Sequence, residues 1–163
     1  MTNDFLFQYY MDCEDGKMAR VSALGEEEIP VNIFIDNAAD HADRKPGPCK
    51  IDVSGVGRNI QVFASKEDYD AQPGEGIRFA SMSMIPSGTF SPGGEDFRES
   101  PDILFTGIVE EAVRDPDETN ETNWCARVRS YQLTFDVYFH ADGNVCPGSV
   151  LQGEAWLFGE IVA

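Results

Sequence analysis

Residues 129–140 read Arg129-Ser130-Tyr131-Gln132-Leu133-Thr134-Phe135-Asp136-Val137-Tyr138-Phe139-His140. Tyr131, Leu133, Phe135, Val137 and Phe139 alternate with Ser130, Gln132, Thr134, Asp136 and Tyr138. A period of two sends the two sets to opposite faces of an extended chain. One face is apolar throughout and has to cover a core. The other is polar apart from Tyr138. The segment predicts a half-buried antiparallel strand, and with it a β-class fold.

Strand signals continue on both sides of it. Asp142-Gly143 predicts a hairpin turn, because both residues tolerate positive φ, and Pro147-Gly148 predicts a second. An apolar stretch over 149–162 then reads as a strand. Gly153 and Gly159 interrupt it, as glycines do where strands bulge or bend. Upstream, strands are predicted over 5–11, 29–35, 49–54, 59–64, 77–85 and 103–113, with turns at Gly16-Lys17, 55–57 and 86–88. Only 65–71 reads as helix: Ser65 caps it, Asp68 stands three residues on, and Pro73-Gly74 stop it. The polar stretches 37–48, 90–101 and 114–123 read as loops. No linker separates two cores, so residues 1–163 are expected to form one β-rich domain. The expected fold is all-β, a single-domain antiparallel barrel or a sandwich, with at most one short helix. His-Ala-Asp occurs at 41–43 and again at 140–142. The flanks differ, so the coincidence reads as chance and not as a repeat.

The tail Pro147-Gly148-Ser149-Val150-Leu151-Gln152-Gly153-Glu154-Ala155-Trp156-Leu157-Phe158-Gly159-Glu160-Ile161 resembles the glycine-punctuated strands of OB-type barrels. Such strands bend at a glycine to serve both halves of the barrel. The resemblance covers about a tenth of the chain and implies an OB-like barrel. Folds of that type commonly bind oligonucleotides or oligosaccharides.

The bulk charge bears on that implication. The chain has 163 residues with 29 Asp and Glu against 12 Lys and Arg, a net charge of −17. At that charge a phosphate backbone and an anionic lipid surface are both repelled, so neither nucleic acid nor membrane is an expected partner. No apolar run is long enough to span a bilayer as a helix. Met1-Thr2-Asn3-Asp4 has no basic segment leading into an apolar run, so the expected location is cytoplasmic. Cys13, Cys49, Cys125 and Cys146 are scattered without a Cys-x-x-Cys pair, and are expected to be reduced thiols.

Motifs for chemistry are sparse. His41, in Asp40-His41-Ala42-Asp43, has no spaced histidine partner, and His140 follows the strongest strand as a surface residue. The loop opening at Asp115 places acids as a calcium loop does. Its sixth position is Asn120 where glycine is required, and its twelfth is Ala126 where a bidentate Glu is required. Gly-x-Ser-x-Gly, Walker and dinucleotide-binding loops are absent. No metal and no cofactor is therefore expected. Trp124, Tyr131, Tyr138 and Trp156 stand at spacings that suit either a ligand groove or core packing.

Three function classes follow. The first is a non-enzymatic acidic interaction protein that binds or inhibits a basic protein partner, as an immunity protein does; long-range attraction speeds such an encounter. The second is a small-ligand or sugar-binding β-barrel. The third is a hydrolase whose site the sequence does not mark. The predicted docking surface for a partner is the acidic loop with Asp115, Asp117, Glu118 and Glu121, together with the polar strand face of Gln132, Thr134, Asp136 and Tyr138. Tyr138 marks that face because tyrosine is favoured at interfaces.

Overall fold

The computed structural model describes residues 1–72, 80–89 and 98–163. Among these are nine strands: β1 Thr2–Cys13, β2 Gly16–Ala23, β3 Ile29–Ile35, β4 Gly47–Phe63, β5 Ser83–Ile85, β6 Asp102–Arg114, β7 Trp124–Ser130, β8 Leu133–Phe139 and β9 Val150–Ile161. One short helix, α1 at Lys66–Asp70, is capped by the Ser65 hydroxyl, which accepts from the Asp68 amide at 3.1 Å. The fold is all-β and barrel-like. The predicted stop at Pro73-Gly74, the first part of the predicted strand 77–85 and most of the loop 90–101 lie outside the described residues.

The strands close into two rings. In ring one the order is β1-β2-β3-β9-β4 and back to β1; in ring two it is β6-β7-β8-β4-β9 and back to β6. The long strands β4 and β9 pair with each other and belong to both rings. Among the described residues eight of the ten strand pairings are antiparallel; β3–β9 and β4–β8 are parallel. Closure leaves few free edges, which is how a barrel avoids edge-to-edge association. One continuous cluster of buried side chains runs through both rings, from Phe5, Phe7 and Ile33 to Phe135, Phe139 and Leu157. Each such side chain contributes roughly 1.5–3 kcal/mol by leaving water.

The two rings are related by an internal pseudo-two-fold. A constant shift for each strand carries the pairings of the first half onto those of the second. Phe7↔Val21 becomes Val109↔Val128, Arg20↔Asn32 becomes Arg127↔Asp136, and Phe34↔Phe158 becomes Tyr138↔Val56. The register break between Phe7 and Tyr9 recurs between Val109 and Glu111. A side-chain bond recurs as well. Arg20 Nε donates to Asn32 Oδ1 at 2.8 Å, and Arg127 Nε to Asp136 Oδ1 at 3.1 Å. The axis passes through the pair Gly55↔Leu157. The two His-Ala-Asp tripeptides do not occupy corresponding positions, since His140 follows β8 directly whereas His41 lies in a 3-10 turn at Ala38–His41.

The structure corrects several sequence expectations. The deciding strand begins at Leu133. Tyr131 and Gln132 form a tight turn, with Gln132 at φ 59°, and Arg129 and Ser130 belong to β7. Asp142-Gly143 does not join a hairpin: β8 pairs with β7 and β4, and the chain crosses to place β9 elsewhere in the rings. The segments 49–54 and 59–64 are one strand, with Gly55 and Gly57 inside it. The turn expected at Gly16-Lys17 falls at Glu14-Asp15, and Gly16 opens β2, a strand the sequence did not mark. Gly153 and Gly159 do mark close approaches. A Cβ at Gly153 would lie 2.8 Å from the Asn59 carbonyl oxygen, opposite a register break in β4 between Arg58 and Gln61.

Candidate functional site

The eight residues of the predicted docking surface fall into three groups. Asp115 is 7% exposed. Its carboxylate accepts from the Asp117 amide at 2.9 Å and from the Thr122 hydroxyl at 3.0 Å, so it builds the β6–β7 loop from within. Asp117, Glu118 and Glu121 are exposed on that loop, and Glu118 sits 3.6 Å from the Arg114 guanidinium. Gln132 and Thr134 are tied to ring one. The Gln132 amide donates to the Glu27 carbonyl and accepts from the Glu27 amide at 2.9 Å. Thr134 exchanges two bonds with the Asn3 side chain, at 2.7 and 3.2 Å. Only Asp136 and Tyr138 lie on the open middle of the sheet.

There they belong to something larger than one strand. Residues paired directly across a ladder project to the same side of a sheet. Val113↔Cys125, Cys125↔Tyr138, Tyr138↔Val56 and Val56↔Trp156 are four successive pairs. They form one unbroken row of apolar and aromatic side chains on the outer face, crossing β6, β7, β8, β4 and β9. Phe34 of β3 extends it, with its ring centroid 5.1 Å from that of Trp156. Val113 is 60% and Val56 37% exposed; the other four are half-buried. The neighbours of these residues along each strand, among them Val137, Ala126 and Leu157, point inward to the core.

Carboxylates flank the row along its length. Glu111 and Asp136 line a shallow cleft with Cys125 and Val113, and Glu121 lines another with Val56, Arg58 and His140. Glu14 and Asp15, at the β1–β2 turn, rim an open cleft of about 860 Å³ floored by Phe34, Trp156 and Met18. The cations nearest the row are largely neutralised. Arg127 is bonded to Asp136, and Arg58 lies 2.7 Å from Asp102 and 3.8 Å from Glu154. Arg98, at the edge of the large cleft, is the exception among the described residues.

Comparison of the two halves sharpens the asymmetry of the face. Phe34, Trp156, Phe158 and Met18 correspond under the pseudo-two-fold to Tyr138, Ser54, Val56 and Cys125. Ring one thus presents large aromatic and thioether groups where ring two presents smaller or more polar ones. Of the four aromatics that the sequence singled out, Tyr138 and Trp156 fall in the row, whereas Trp124 is buried. Every other member of the row is a lone apolar residue on a different strand.

Thiol chemistry at the row is suppressed. Burial, and then the Asp136 carboxylate, push the Cys125 thiol above its ordinary pKa. Burial does the same to Cys49 and Cys13. The thiolate is the reactive form, so iodoacetamide at pH 8 is expected to modify exposed Cys146 first and buried Cys49 last, with Cys125 well behind Cys146. Peptide mass mapping over a time course checks the order, and early labelling of Cys125 would contradict it. Among the described residues no group of three or more His, Cys, Asp and Glu side chains converges to hold a metal ion. Among the same residues no helix is long and apolar enough to cross a membrane.

Set against family models, curated proteins and solved structures, the chain matches none of them.

Proposed function

We propose that this chain is a non-enzymatic interaction protein that binds a basic protein partner and inhibits or shields it, with the outer face of the shared β4–β9 sheet as its docking surface. One observation carries the reading: a partly exposed apolar row with carboxylates beside it, in a chain of net charge −17. Apolar contact supplies affinity at the centre of such a face, and the carboxylate rim supplies steering and selectivity. The same charge argues against nucleic acid as the partner. An OB-type relationship for ring one is supported by its five-stranded closed order β1-β2-β3-β9-β4.

The simplest test uses a fluorescent decalysine peptide in a polarisation titration. Binding is expected in the micromolar range at about 20 mM salt, weakening at least tenfold at about 0.15 M as the field is screened. A single-stranded decathymidylate is expected not to bind under either condition. Glu111→Lys with Glu121→Lys should weaken decalysine binding further, because both carboxylates lie beside the row and both are exposed. Absence of decalysine binding at low salt would sink the proposal.

A second reading, a small-ligand barrel, has a specific observation of its own. A mainly apolar cleft of about 290 Å³ on ring two is lined by Asn59, Gln61, Ile85, Leu104, Gln152 and Glu154. Three amide side chains and one carboxylate around an apolar floor suit a small hydroxyl-bearing ligand such as a sugar. A thermal shift on screening neutral sugars, abolished by Leu104→Arg, would favour it.

A further inference from the structure

We propose that the partner segment docked on this face is a basic amphipathic α-helix of about four turns, lying across the strands along the row from Val113 to Phe34; this rests on the basic-partner reading above. Three features of the face select a helix. The first is the absence of a free edge. Between Cys125 and Phe34 each strand that the row crosses is paired on both sides. An extended peptide binds a sheet by adding its backbone to an edge. Here it would find no partner for its N–H and C=O groups. A helix satisfies its own backbone and needs only side-chain contact.

The second feature is length. The row crosses the five strands of ring two and reaches Phe34 of β3, and neighbouring strands lie about 4.8 Å apart, so its contour over the curved outer face is roughly 24 Å. A straight helix rising 1.5 Å per residue needs at most about 16 residues to reach from end to end. Apolar side chains at i, i+3, i+4 and i+7 form a stripe of matching width. The third is charge. Glu14 and Asp15 stand at the Phe34 end, Glu121 lines a cleft with Val56 near the middle, and Glu111 lines one with Val113 at the other end, while Asp136 is already held by Arg127. Lys and Arg on the borders of the helix's apolar stripe would meet these carboxylates. A second copy of this chain is not the occupant, since each copy brings the same charge of −17 to the contact.

The test compares three probes on the intact chain. One is an 18-residue leucine–lysine peptide patterned for a helix. The second has the same composition in strict alternation. The third is decalysine. Trp124 and Trp156 are the two tryptophans of the chain, so in a Trp124→Phe background the emission reports the row directly. The helical peptide is expected to bind at least tenfold more tightly than the alternating one, and to shift Trp156 emission to the blue. Val56→Asp should weaken that binding at least tenfold. Val113→Asp, at the most exposed position of the row, should weaken it about threefold and guards against misfolding of the first variant. Equal binding of both patterned peptides, or indifference to both substitutions, would overturn the helix proposal. If decalysine still binds in that case, the basic-partner reading stands without it. If decalysine also fails, both fall together.

Discussion

Gly159→Ala is expected to destabilise the protein by more than about 3 kcal/mol, the upper range for overpacking. A Cβ on Gly159 would stand 2.2 Å from the carbonyl oxygen of Asp52, an atom of the β4 backbone that no rotamer change can move. The position is pinned from two directions. Gly159 pairs with Val53 of β4 and with Ile35 of β3, and its own carbonyl accepts from the Asp36 amide at 2.9 Å. Here β9 has left β6 and joined β3, so the two rings meet at a backbone contact with no room for a side chain. The pseudo-two-fold supplies an internal control. Gly57 holds the corresponding place, and its Cβ would meet the Ile60 side chain at 2.9 Å. Ile60 can yield, so Gly57→Ala should cost only about 1–2 kcal/mol. Urea unfolding followed by circular dichroism measures both. Equal costs would show that the close approach of the strands at Gly159 is looser than described.

Phe135→Ala is expected to cost about 3–5 kcal/mol, the usual range for removing a buried aromatic ring. Phe135 is fully buried in ring two, and its ring meets Phe105 edge-on at 5.5 Å. It also touches the axis of the pseudo-two-fold: the space above Gly55 is closed by the Phe135 ring, the Ala155 methyl group and Leu157. A cavity there is walled by strands of both rings and cannot collapse by moving one loop. Since total stability is typically about 5–15 kcal/mol, the variant should be marginal at room temperature. The contrast with Trp156→Ala is the informative part. Trp156 is half-buried on the outer face of the same sheet, against Phe34 and Phe158, so its loss should cost only about 1–2 kcal/mol of stability while removing a large aromatic from the Phe34 end of the docking row. If the two substitutions destabilise equally, the inner and outer faces have been assigned wrongly.

Those two faces were not equally legible in the sequence. The alternation Leu133, Phe135, Val137, Phe139 gave β8 its inner face, because one strand carries the whole pattern. The same alternation misled at Tyr131, which keeps the period of two while the backbone turns at Gln132. Strands β2 and β7 were missed because their apolar residues are short runs with charges between them. Those two strands nonetheless carry the clearest trace of the internal repeat, Ala19-Arg20-Val21 and Ala126-Arg127-Val128. In both, the arginine bonds to the facing strand and the alanine and valine enter the core. His-Ala-Asp drew attention instead, and it has no corresponding place in the two halves.

The outer row was hidden for a different reason. Val113, Cys125, Tyr138, Val56, Trp156 and Phe34 come from six strands, and no two are close in sequence. Except on β9, where Phe158 stands beside Trp156, each contributes one apolar group to a mostly polar outer face, which is ordinary for a surface. Only the register of the strand pairing brings them together, and register between distant strands is not written in local pattern. Tyr138 stood out because its own strand is otherwise so regular. The acidic loop was legible as a charged segment. That Asp115 turns inward to hold the loop, while Glu121 lines a cleft with Val56, depends on the turn geometry of residues 115–123.

Amide chemical-shift mapping on isotope-labelled protein, titrated with the helical leucine–lysine peptide, tests the central claim most directly. The largest shifts are expected to cluster on Val56, Tyr138, Cys125, Val113, Phe34 and the Trp156 indole, with smaller ones at Glu111 and Glu121, and the 290 Å³ cleft around Leu104 is expected to stay silent. Shifts centred on Leu104 and Gln152, or spread evenly over the acidic surface with the row unaffected, would contradict it.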